Sequence, residues 1–140
     1  MGRWPSLSRG QVLKLLLDTH ALAWWLRDDA HLSSDARDLI ADGANGVWVS
    51  AVSAFEMALK HRLGKWDEIG VLIDVFEQAI ADERFELLSV TAAHALHGAR
   101  IPATHRDPFD RLLAGQAAVE DLVLVTGDRA FDGLGIRTIW

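Results

Sequence analysis

The chain reads as an α/β domain, a mostly parallel sheet with helices on both faces. Three observations predict it. Short apolar runs alternate with helical stripes along nearly the whole length. The runs are brief and lack charges after their first residues, as strands covered on both faces should be. Four acids, Asp18, Glu56, Asp110 and Asp128, each punctuate the end or the start of a separate apolar segment. Open parallel sheets bind their ligands beyond the carboxyl ends of their strands, where such residues would gather.

The elements follow in order. Val12 to Leu17 (VLKLLL) is a short apolar run ending at Asp18, the first expected strand. Ala21 to Leu26 is a compact apolar helix, broken by His31-Leu-Ser-Ser. Ser33 or Ser34 caps a second helix, Asp35 to Ala41, which Gly43 and Gly46 end. Val47 to Val49 reads as a second strand. Ser53 and Glu56 have capping-box spacing, which offers Glu56 a role in closing a helix start. Ala54, Met57 and Ala58 surround Glu56 on that helix, so an inward-facing Glu56 is the competing reading. Gly64 ends the helix. Ile69 to Ile80 carries a helical stripe, and Phe85 to Val90 a strand. Thr91 caps the helix Ala92 to His97. Pro108 suits a first helical turn with Asp107 as its N-cap, and that helix runs to about Val119. Leu122 to Val125 and Ile136 to Trp140 are the last strands.

The 140 residues suit one domain, expected over 12–140, with 1–11 as a flexible extension. Half the residues are hydrophobic, enough for a packed core. No cysteine is present, which excludes disulfides, zinc–thiolate sites and cysteine nucleophiles and agrees with a cytoplasmic setting. The uncharged apolar runs are shorter than the ~18 residues that span a bilayer, so no membrane association is expected. A formal charge of −6 argues mildly against nucleic-acid binding. The four acids supply much of that charge, and basic residues collect in two groups: Lys60, His61, Arg62 and Lys65, then Arg100, His105, Arg106 and Arg111.

A lone buried carboxylate is costly, and several converging ones repel unless a cation lies between them. Hard divalent cations such as Mg²⁺ and Mn²⁺ prefer such oxygen ligands. Asp18, Glu56, Asp110 and Asp128 are therefore the candidate metal-ligating and catalytic residues of a phosphoryl-transfer site. Asp18 and Asp128 follow strands and belong on the carboxyl edge. Glu56 lies early in the helix after the second strand. Asp110 opens a helix that could begin at either edge. Asp107, as N-cap, is structural first and an outer-shell acid second. Thr19 and Thr126 stand beside acids and either orient water or cap local backbone. His20 and His105 are candidate general bases, but neither has a second histidine at metal-ligand spacing, and His20 beside Asp18 can simply hydrogen-bond nearby groups. The six tryptophans read as core or interface surface rather than base-stacking platforms.

Five ordered blocks, LLLDTHALAWWL, LSSDARDLI, VSAVSAFEMALKHRLGK, IPATHRDPFDRLLAGQA and LVTGDRAF…IRTIW, resemble PIN-domain ribonucleases, and among them the VapC-type toxins of toxin–antitoxin pairs. The likeness covers roughly Leu15 to Trp140. It implies a Rossmann-like three-layer fold and a Mg²⁺- or Mn²⁺-dependent endoribonuclease. Asp18, Glu56, Asp110 and Asp128 match the family's four acids in order. The resemblance also implies a homodimer, an inhibiting antitoxin and a structured RNA substrate such as tRNA or rRNA. For such a substrate the two basic groups, through Lys60, Arg62, Lys65, Arg106 and Arg111, are the expected steering residues for the backbone. Phe55 stands where a tryptophan is common and Leu134 where a tyrosine often occurs.

The alternative is a non-catalytic doubly wound domain for protein interaction or phosphate binding. A receiver domain would need an acid ending its central strand, and VWVSA carries none. Dinucleotide binding would need G-x-G-x-x-G after VLKLLL, which is missing.

Overall fold

The computed structural model describes residues 12–140, so the expected extension 1–11 lies outside the described residues. Within these described residues five strands form one sheet: β1 (Lys14–Leu17), β2 (Gly46–Ser50), β3 (Glu86–Leu88), β4 (Val123–Val125) and β5 (Thr138–Ile139). The spatial order is β3-β2-β1-β4-β5, and every pairing is parallel. β1 is central. The chain leaves it toward β2 on one side and returns to β4 on the other, so a topological switch point lies between β1 and β4.

Among the described residues seven α-helices cover the sheet: α1 (Thr19–Leu26), α2 (Ser34–Ala41), α3 (Ala51–Arg62), α4 (Gly70–Asp74), α5 (Phe76–Asp82), α6 (Ala92–Arg100) and α7 (Pro108–Glu120). The period of two along β1 divides the core into two layers. Leu15 and Leu17 pack with Val49, Leu22, Met57 and Ile80 on one face. Leu16 packs with Leu113, Ala117, Leu124 and Phe131 on the other. The expected three-layer α/β fold is the observed one.

Local differences have local causes. The helix expected over 69–80 is three pieces: a 3-10 turn at Asp67–Ile69, then α4 and α5. Val75 breaks it at φ −118°, ψ 21° and stays exposed, while Ile69, Phe76 and Ile80 turn inward. Gly46 opens β2 instead of ending α2. α3 starts two residues before the expected box, with Ser50 as its cap, so Ser53 and Glu56 are free of capping duty. Ser33 caps α2, Thr91 caps α6 and Asp107 caps α7, as the sequence indicates.

α6 and α7 cross backbone against backbone. A methyl group on Gly98 would strike the Arg111 carbonyl, and one on Gly115 would strike the His94 carbonyl. His94, fully buried, accepts the Thr91 N–H at Nδ1 (3.0 Å), so its Nε2–H faces Glu120 at 2.8 Å. The Arg111 guanidinium donates to the carbonyls of Gly98, Ile101, Ala103 and His105 at 2.6–3.0 Å and holds the loop between the two helices.

Candidate active site

Each acid reaches one cleft by a different route. β1 ends at Leu17, and Asp18 caps α1 by accepting the Ala21 N–H at 2.7 Å. The backbone N–H of Asp18 continues the ladder to Val125 of β4 (3.1 Å), so the carboxyl ends of β1 and β4 stay side by side. Beyond β4, Asp128 caps a short 3-10 turn by accepting from Ala130 at 2.9 Å. Glu56 projects from the second turn of α3. α7 must return its chain to the start of β4, so its own start lies at the carboxyl edge. That places Asp110 with the other acids and settles the edge that sequence order leaves open.

The cleft has a volume of about 490 Å³ and is lined by Asp18, Glu56, Asp107, Asp110, Asp128 and Lys60. Thr19, His20, Trp24, His31 and Trp140 complete much of its wall. All four expected acids, and Asp107, are therefore at one place.

Neighbouring groups fix each carboxylate. Glu56 is 6% exposed. Thr19 donates its hydroxyl proton to Glu56 Oε1 at 2.8 Å, so Ser53 is the donor in the 3.0 Å hydroxyl pair between them. Lys60 Nζ lies 2.6 Å from Glu56 Oε2, one helical turn away. Buried Thr126 accepts the Asp128 N–H at 3.0 Å, and its hydroxyl also bonds the Asp18 carboxylate. One threonine thus ties two acid-bearing segments together. His105 Nε2 lies 2.7 Å from Asp110 Oδ2. Asp107 Oδ1 accepts from the N–H groups of Phe109 and Asp110, at 2.9 and 3.1 Å, which is the capping role.

Burial pushes the Asp18 carboxyl up to about 6, against the Thr126 and Ala21 hydrogen bonds; the charges of Asp128 and Glu56 add to the rise. Burial likewise pushes Asp110 up to about 6, opposed by the His105 hydrogen bond and helped by Asp107 and Asp128. His20 is lowered by desolvation first and by Lys60 second.

The donor set suits a hard divalent cation: it is all oxygen, and a cation would relieve the repulsion that raises Asp18 and Asp110. Among the described residues, however, no three acids or histidines are drawn together as a ready-made ligand group. Glu56 is paired with Lys60 and Asp110 with His105 instead.

The basic residues divide. Lys60 is in the cleft. Arg62 and Lys65 are exposed at the end of α3, and Arg106 is exposed beside Asp107. Arg111 is committed to its four carbonyls. Sequence reasoning does not find Ser53 as the partner of Thr19, and it treats His105 as a candidate base rather than as the anchor of Asp110. The available signal is spacing, His105 lying one helix start before Asp110. It assigns Trp24 and Trp140 to core or interface; both do pack against the core, and both also line the cleft.

A doubly wound parallel sheet with its acids gathered beyond the switch point defines an α/β domain built around a carboxylate site. The chain belongs to the PIN domain family, whose model matches residues 15–136. It is 32% identical over 118 residues to ribonuclease VapC22 of Mycobacterium tuberculosis (strain ATCC 25618 / H37Rv), covering 82% of this chain and 87% of that one. Its fold is similar to that of VapBC2 from Rickettsia felis bound to a promoter DNA fragment (TM-score 0.66, 16% identity, 91% of this chain and 98% of that one). It is likewise similar to FitAcB from Neisseria gonorrhoeae (TM-score 0.66, 22% identity, 90% and 96%). Among the described residues no helix is long and apolar enough to cross a membrane.

Proposed function

We propose that this chain is a metal-dependent endoribonuclease, the toxin of a toxin–antitoxin pair. One observation carries the reading: four acids from four elements line one cleft, in a chain one-third identical to a ribonuclease over most of its length. Asp18, Glu56, Asp110 and Asp128 would hold Mg²⁺ or Mn²⁺, with Asp107 behind them. Such an ion supplies positive charge to a phosphodiester and lowers the pKa of water.

The chain's own residues do the rest. Thr126 keeps Asp18 and Asp128 at a fixed separation. Thr19 aims Glu56, and His105 aims Asp110. Lys60 is a flexible ammonium within the cleft, able to leave Glu56 for an incoming phosphate. Arg62, Lys65 and Arg106 extend a positive approach around an otherwise acidic site. RNA is the proposed substrate, and hydrolysis of its backbone the reaction.

The proposed partners are a second copy of the chain and a small inhibiting antitoxin, within the cytoplasm. Phe55 is 62% exposed and packs beside Phe109 at 5.7 Å, in an apolar groove with Val90 and Leu112. Exposed rings of this kind suit a protein interface.

Incubation with total cellular RNA tests the reading. Discrete cleavage should occur with Mg²⁺ or Mn²⁺, stop on chelation, and fall to background in Asp18→Asn and Asp128→Asn. Cleavage that persists in chelator, or in both variants, removes these acids from the reaction.

A further inference from the structure

The acids of the cleft are not held alike. Asp18 accepts the Ala21 N–H at 2.7 Å and the Thr126 hydroxyl, and Asp128 accepts the Ala130 N–H at 2.9 Å. These donors are neutral. Glu56 has a cation on it. Its Oε1 accepts the Thr19 hydroxyl at 2.8 Å, and its Oε2 lies 2.6 Å from the Lys60 ammonium. Both oxygens of this one carboxylate are engaged.

Glu–Lys pairs four residues apart are common on exposed helix faces, where they contribute little. This pair is not on such a face. The Glu56 side chain is 7% exposed and the Lys60 side chain 33%, and both line the cleft. A buried carboxylate without a counter-charge is costly, so Lys60 does for Glu56 what a divalent ion would do. The choice of lysine matters as well. Its charge is compact and sits on four flexible methylenes, so the head can swing away while the backbone stays in α3. An arginine would grip the carboxylate with two parallel hydrogen bonds.

We propose that Lys60 is a built-in substitute for the divalent cation: it neutralises Glu56 in the metal-free cleft, and an ion taken up beside Asp18 and Asp128 frees it to meet an RNA phosphate. The inference rests on the nuclease reading and deepens it, because it gives the order in which the cleft takes its ligands. An ion and an ammonium on one buried carboxylate repel, so they compete for Glu56. The competition is reciprocal: whatever the Lys60–Glu56 pair takes from the affinity for the ion, the ion takes from the pair. Once freed, the ammonium faces carboxylates that are already neutralised, and a phosphate is the anion left for it. The grip on RNA through Lys60 therefore follows the ion instead of preceding it.

The test observes Lys60 itself in the full chain at pH 8. The protein has three lysines, Lys14, Lys60 and Lys65, so ¹³Cε-lysine labelling gives three methylene signals, and Lys60→Arg assigns one of them. In chelator the Lys60 signal should be that of an ordered head, unlike those of Lys14 and Lys65. Saturating Mg²⁺ should shift it and make it mobile, with the midpoint of the calorimetric Mg²⁺ isotherm, and should leave the other two in place. Lys60→Met should bind Mg²⁺ about tenfold more tightly by calorimetry. In Glu56→Gln the Lys60 head should be mobile from the start and indifferent to Mg²⁺. Mg²⁺ binding that leaves the Lys60 head ordered, an unchanged affinity in Lys60→Met, or the same Mg²⁺ response in Glu56→Gln overturns the substitute role and leaves the nuclease intact. If neither Mg²⁺ nor Mn²⁺ binds the wild type, the metal-dependent nuclease reading falls and the substitute role with it.

Discussion

Asp18→Asn should make the metal-free protein more stable at pH 8 while abolishing its activity. Asp18 is 7% exposed, and its carboxyl rises from the ordinary 3.8 to about 6. A carboxyl with a raised folded-state pKa keeps its proton more tightly when folded. Below about pH 4 it is protonated in both states, and no penalty exists. From about pH 4 to 6 the folded chain holds more protons than the unfolded one, so stability falls as pH rises. Above about pH 6 the full penalty applies, some two pH units at 1.36 kcal/mol each, or ~3 kcal/mol. Asparagine is uncharged and keeps an oxygen for the Ala21 N–H. Its amide hydrogens lack an assigned acceptor, an offset of ~1 kcal/mol. The net gain is ~2 kcal/mol, or roughly 6 °C in Tm for a domain of this size. Circular dichroism melts in chelator at pH 8 and pH 4 measure it. A variant that melts at or below the wild type at pH 8, or whose advantage persists undiminished at pH 4, refutes the argument.

Four further outcomes are expected. Excess Mg²⁺ should raise the wild-type Tm at pH 8 and raise that of Asp18→Asn much less; equal shifts would mean that the ion binds elsewhere. Gly115→Ala should cost ~2–3 kcal/mol in urea unfolding, because the α6–α7 crossing leaves no room for a methyl group. Arg111→Met should destabilise by ~2–4 kcal/mol, because four loop carbonyls lose their guanidinium donor, whereas Arg106→Met should stay within ~0.5 kcal/mol; similar urea midpoints for the two would remove the loop-clamp role. Lys60→Met should weaken RNA binding and lower the slope of log affinity against log salt by about 1, and an unchanged slope would show that Lys60 meets no phosphate.

Much of this molecule is legible in its sequence because burial on both faces leaves strong signatures. Leu15, Leu16 and Leu17 must all be apolar in a central parallel strand, and Ser33, Thr91 and Asp107 announce helix starts chemically. The acids are legible jointly rather than singly, since Asp18 and Asp128 each also cap the helical turn that follows their strand. What is illegible depends on distant partners. No local pattern shows that Ser53 turns to Thr19, that Lys60 holds Glu56 rather than facing water, or that Arg111 is consumed by a loop. The S-x-x-E spacing at Ser53 points to the wrong helix start because Ser50 is an equally good cap three residues earlier. Trp24 and Trp25 look equivalent in sequence, and only the rotation of α1 against the sheet sends one to the cleft and the other to Glu83.

The central position of β1 has a consequence for biosynthesis. Asp18 is synthesised well before β4, which must pair with β1 to bring in Asp128. A growing polypeptide holds a half-built pocket until β4 and the turn after it emerge, because non-local pairing must wait for both partners. If the cleft cuts RNA, the translating ribosome is spared until β4 has docked beside β1, and the topology itself acts as the safety catch.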